Sequence, residues 1–137
     1  MAQVTIKKVV EGPSHLVVIL NFDGDGTGDL ENYSVLSPLE LIPARPDDRP
    51  AFYIIQIWHS LIWFDLTLGF GGLTPRMVWP LARDTGPHVD FRSFGGLQDY
   101  PTVPPSDQSG VLLVSTSGLI AGSKGSVVLD LRKTNEP

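Results

Sequence analysis

Apolar and polar residues alternate along much of this chain with a period of two, the repeat of an extended strand whose successive side chains point to opposite faces. Leu16, Val18, Leu20 and Phe22 fall on one face, with His15, Val17, Ile19 and Asn21 on the other, which predicts a largely buried strand. Ile62, Phe64, Leu66, Leu68 and Phe70 repeat the pattern more cleanly, with Trp63, Asp65 and Thr67 between them. On this reading Trp63 stands opposite the apolar face of its strand, where a second layer or another subunit must cover it. Further runs predict strands over Gln3–Val10, Asp29–Leu36, Ala51–Trp58, Arg76–Leu81, His88–Arg92, Val111–Thr116 and Ser126–Arg132, eight or nine in all.

Glycines and prolines punctuate these runs in clusters, leaving little room for helices. Two short reversals, one around Ser60 and one in GLIAGSKG at 118 to 125, predict antiparallel neighbours. Two connections are much longer than a hairpin needs: the Pro-rich SPLELIPARPDDRP at 37 to 50 and the stretch from Phe94 to Gly110. The expected fold is one all-β domain over residues 1 to 137, an antiparallel β-sandwich of jelly-roll-like form with two long Pro-rich loops.

Composition narrows the chemistry. At 137 residues the chain suits one domain that buries most of the surface its unfolded form exposes. The absence of cysteine removes disulfides, thiolate metal sites and cysteine nucleophiles together. A formal charge of -5 argues against nucleic acid as a partner, because such binding depends on neutralising phosphates. The opening MAQVTIKKVV reads as a strand rather than a signal peptide. The most apolar window, Ile54 to Phe70, is interrupted by Gln56, His59 and Asp65 and falls short of the roughly 20 apolar residues that span a bilayer, so no membrane is expected.

Candidate chemistry is sparse. NFDGDGTGDLEN at 21 to 32 resembles a calcium loop at its start, with Asp23, Asp25 and Gly26 in the third, fifth and sixth positions. Its twelfth position is Asn32, which cannot supply a bidentate carboxylate, so an exposed hairpin turn from Asp23 to Asp29 is the preferred reading. His88 and Asp90 share a strand face and could join His59 at a metal, but no third close ligand is identifiable, which leaves a hydrogen-bonded histidine. Asp65, Asp90 and Glu31 offer carboxylates without a spacing that brings two into one cleft. No nucleophile elbow, phosphate loop or dinucleotide fingerprint occurs, so neither an enzyme nor a cofactor is expected. Trp58, Trp63 and Trp79 with Tyr53 supply either core packing and subunit contacts or a stacking platform for sugars, so a carbohydrate-binding module is the alternative function.

The order of these features resembles small virion structural proteins of tailed bacteriophages. The matching elements are QVTIKKVVEGP, the DG-rich DGTGDLEN, the aromatic IQIWHSLIWFDLTLGF, DFRSFGG at 90 to 96 and the closing GVLLVSTSGLIAGSKGSVVLDLRK. The insert at 43 to 50 has no counterpart in that pattern. The resemblance implies a non-enzymatic decoration (cement) protein, made in the host cytoplasm and bound to the outside of the capsid, where it stabilises contacts between major capsid protein subunits. It implies no catalytic residues. Homo-oligomerisation is expected from Trp63. The two long loops are expected to meet the major capsid protein, with Arg45, Arg49 and Tyr100 as anchors because Arg and Tyr dominate contact energies.

Overall fold

The computed structural model describes residues 3–42, 44, 51–71, 75–83, 88–97 and 110–134. Among the described residues there are nine strands: β1 (Val4–Glu11), β2 (His15–Asp23), β3 (Tyr33–Leu36), β4 (Phe52–Ile62), β5 (Asp65–Phe70), β6 (Arg76–Leu81), β7 (His88–Asp90), β8 (Leu112–Ser117) and β9 (Lys124–Lys133). They form a five-stranded sheet in the order β1-β2-β9-β4-β7 and a four-stranded sheet in the order β3-β8-β5-β6, every pairing antiparallel. The two sheets pack face to face as an all-β sandwich, with Leu16, Leu20, Ile57 and Leu129 from one meeting Leu66, Leu68, Phe70 and Val114 from the other in a single core. Each fully buried phenylalanine, such as Phe52, Phe64 or Phe70, stabilises this core by about 1.5–3 kcal/mol relative to exposure.

The pairing is nested. β2 lies on β9, β3 on β8, β4 on β7 and β5 on β6, so the first arm of the chain pairs with the second in reverse order; β9·β4 and β8·β5 contacts then join these pairs. Of the steps between successive described strands, only β1 to β2 and β5 to β6 stay within one sheet. This corrects three expected reversals. Ser60 lies inside β4, which runs on to Ile62 and enters the other sheet through Trp63 and Phe64. The segment 118–123 joins β8 to β9 across the sandwich rather than closing a hairpin. The glycine-rich 24–32 likewise crosses from β2 to β3, and β3 begins only at Tyr33 rather than at Asp29.

Trp63 is not on a strand face, as the alternation had placed it. Its φ of 72° puts a bulky residue in the left-handed region, which reverses the chain sharply and lets Phe64 start a new buried face. A second irregularity precedes it. The β4–β9 register slips between Ile54 and Gln56, so the buried set changes parity from Phe52 and Ile54 to Ile57, His59 and Leu61. Pro80 is accommodated because β6 is an edge strand.

This winding sorts the connections. The crossings 24–32, 63–64 and 118–123 gather where β4 ends. Where β4 begins, the flanking strands deliver the β1–β2 turn and the roots of both long connections, after Leu36 and after Asp90.

Candidate functional site

β9 carries Val127, Leu129 and Leu131 on its buried face, and strict alternation places Lys133 there too, with its side chain only 2% exposed. A buried ammonium needs a partner. Glu11, from the end of β1, supplies it: Lys133 Nζ donates to Glu11 Oε2 at 2.8 Å and to the Ile42 carbonyl at 2.9 Å. The same carboxylate accepts from the Ile42 backbone N–H at 2.7 Å and from Lys8 Nζ at 3.2 Å, and Lys8 also reaches the Glu40 carbonyl. Burial alone would raise the Glu11 carboxyl, but the hydrogen bonds from Lys133, Ile42 and Lys8 outweigh it and hold the group below the ordinary glutamate value.

The clamp grips both polar groups of the Ile42 backbone, which lies near the start of the first Pro-rich connection. Just before it a 3-10 turn at Pro38–Glu40 is closed by a capping box, Ser37 accepting from Leu39 N–H and Glu40 accepting from Ser37 N–H. Leu41 is buried as a plug, while Leu39 and Ile42 stand 56% and 70% exposed. Two large apolar side chains are thus held outward on a backbone fixed from both ends of this short segment. Arg45, Arg49 and Tyr100, the anchors expected from the sequence, lie outside the described residues.

At the opposite end Trp63 is 57% exposed, its ring lying over Gly122, and Ile120 is 54% exposed. The crossings beneath them are pinned by side chains. Asp29 accepts from Leu119 N–H (2.7 Å), Gly118 N–H (3.2 Å) and Thr116 Oγ1 (3.0 Å), the Leu119 bond being the largest influence that lowers its pKa. Gln3 donates to the Gly28 carbonyl and accepts from Asp25 N–H, and Asp25 in turn accepts from both polar groups of Thr27. Within the calcium-like stretch Asp29 therefore staples the two crossings together, Asp25 closes a local turn at Thr27, and Asp23 pairs with Lys124. Among the described residues no three His, Cys, Asp or Glu side chains gather as a metal set.

The remaining candidates are dispersed. His59 faces the interior, whereas His88 and Asp90 lie on the outer face of the five-stranded sheet, so the three do not meet. His88 Nε2 is hydrogen-bonded to Gln56 Oε1 at 2.9 Å, and Gln56 donates on to Asp130, which also holds His15. Asp65 is engaged by Arg83 and Asp90 by Arg92; the Arg92 guanidinium is the main cause that draws Asp90 down to about 2. Trp58 stacks on His88 on that outer face, Trp79 packs edge-on against Phe91, and Trp63 sits in the β4–β5 corner, so the tryptophans form no common row. No helix among the described residues is long and apolar enough to cross a membrane. Neither a protein-family model nor a curated protein matches the chain.

Sequence reasoning missed the clamp, although one signal was present. Lys133 continues the buried parity of β9 and Glu11 stands in register with inward-facing Leu16, two opposite charges at the ends of inner strand faces.

Proposed function

We propose that this protein is a non-enzymatic decoration (cement) protein of a tailed-bacteriophage head, made in the host cytoplasm and seated on the outer surface of the capsid, where it bridges major capsid protein subunits. The observation that carries this reading is the clamped segment Leu39–Ile42. A buried ion pair and a capping box fix a short surface segment that presents two large apolar side chains at the end of the sandwich from which both long connections leave. Such prior ordering lowers the entropy cost of docking onto a lattice, and many copies on one lattice add avidity. Support comes also from the sequence resemblance, and the nested strand pairing is the arrangement expected of a jelly roll. The carboxylates Asp65, Asp90 and Asp29 are each occupied by structural partners, which favours a binding role over acid–base chemistry.

In this reading the long connections, with Arg45, Arg49 and Tyr100, complete the capsid-facing end, and exposed Trp63 with Ile120 at the other end contributes to association between copies. The net charge of -5 fits a protein partner rather than nucleic acid. The test is co-sedimentation with purified heads assembled without the protein. Saturable pelleting is expected, reduced about tenfold or more in L39S/I42S, whose exposed positions leave the core intact. Wild-type protein that stays in the supernatant, or a folded double variant that pellets equally well, removes the proposal.

A further inference from the structure

The outer face of the five-stranded sheet carries an open trough along β9 and β4. One part, of about 400 Å³, is bordered by Asn21, Asp23, Ile62 and Lys124. The other, of about 220 Å³, lies between Trp58 and Val128. Ser60 and Ser126, cross-strand partners, floor both parts and make them continuous. Trp58 and Ile62 are four residues apart on one strand, so the trough runs roughly 13 Å between its two walls.

We propose that this trough is a binding site for a neutral oligosaccharide. It is distinct from the capsid-facing end and does not depend on the decoration reading. Trp58 is stacked on His88 with ring centroids 4.9 Å apart and planes within 10°, so its indole is fixed by a neighbour while its exposed surface borders the trough. A fixed indole is the surface on which the apolar face of a pyranose packs. Around it the polar groups suit sugar hydroxyls. Ser126 Oγ donates to Asn21 Oδ1 at 3.0 Å, which leaves the Asn21 amide protons and the Ser60 hydroxyl to face the trough. Asp23 and Lys124 form an ion pair at 3.3 Å on its rim, offering an acceptor and a donor with no net charge.

That lining discriminates against other occupants. The Asn21–Lys124 part mixes apolar surface with hydroxyl, amide and ion-pair groups, while the Trp58–Val128 part is almost wholly apolar, a division that matches the hydroxyl edge and the apolar face of a pyranose. A nucleic acid or an acidic glycan meets one lysine in the trough, already matched by an aspartate. A small apolar ligand lacks enclosure here.

The experiment is a titration of isotope-labelled protein with cello-, malto-, chito- and manno-hexaose, followed by amide and indole chemical shifts. At least one sugar is expected to shift Trp58, Ser60, Lys124 and Ser126 together. W58A should weaken that sugar about tenfold, and S126F, which fills the trough from an exposed position, should abolish the shifts while leaving head co-sedimentation unchanged. No shift at these residues with any of the four sugars, or shifts that persist in S126F, overturns the site.

Discussion

Removing Glu11 and removing Lys133 should have unequal consequences, because the two charges are not equally dependent on each other. In E11A the Lys133 ammonium, 2% exposed, keeps only the Ile42 carbonyl, and the Ile42 N–H and Lys8 lose an acceptor. An uncompensated buried charge of this kind costs about 3–5 kcal/mol. In K133M an apolar chain of similar length fills the same space, and Glu11 retains Lys8 and the Ile42 N–H, so about 1–2 kcal/mol is expected. The double variant E11L/K133M removes both charges and should return to within about 1 kcal/mol of wild type. Urea unfolding at neutral pH measures all three; with a slope of about 2 kcal/mol/M, E11A lowers the midpoint by roughly 2 M. Additive single effects, or an E11A variant within about 1 kcal/mol of wild type, would refute a buried clamp. The pH dependence has a fixed sign. Because the folded Glu11 pKa lies below its unfolded value, its contribution is present above the unfolded pKa and disappears as pH falls through the folded one; wild type should lose stability in acid more steeply than E11L/K133M.

The crossings at the other end give sharper local tests. D29A forfeits three hydrogen bonds at an exposed carboxylate and should cost about 2 kcal/mol by thermal or urea unfolding, with D29N, which keeps one acceptor oxygen, losing roughly half as much. Since the Asp29 pKa is also lowered, its share of stability is lost as pH falls through the folded value, and D29N should show a shallower acid limb than wild type. G24A should be more severe than either, about 3 kcal/mol or more, because a Cβ there would lie 1.9 Å from the Ile120 carbonyl oxygen; an unchanged melting temperature would contradict the close approach of these two crossings.

The inner faces of the sandwich were legible because period-two alternation is enforced by burial. Leu16, Val18, Leu20 and Phe22 are all buried, as are Phe64, Leu66, Leu68 and Phe70. What the alternation hides is where it slips. The bulge at Ile55 places Ile54 and Ile55 in succession among buried residues, and nothing in IIQIW distinguishes a bulge from a continuous buried run. The corner at Trp63 was misplaced at Ser60 because a tryptophan carries no local preference for positive φ. The sheet crossings were read as hairpins because turn chemistry reports that a chain reverses, not which sheet the next strand joins. The candidate site follows the same division. Lys133 and Glu11 had a readable parity, but their meeting with Ile42 depends on β1, β9 and a loop distant in sequence.

The most direct measurement is a cryo-electron microscopy reconstruction of heads saturated with the purified protein. Decoration requires ordered sandwich density at symmetry-related positions outside the shell, with Leu39 and Ile42 facing the major capsid protein and Trp63 directed away. Absence of external density at saturation, or the domain bound with its Trp63 end on the shell, would contradict it.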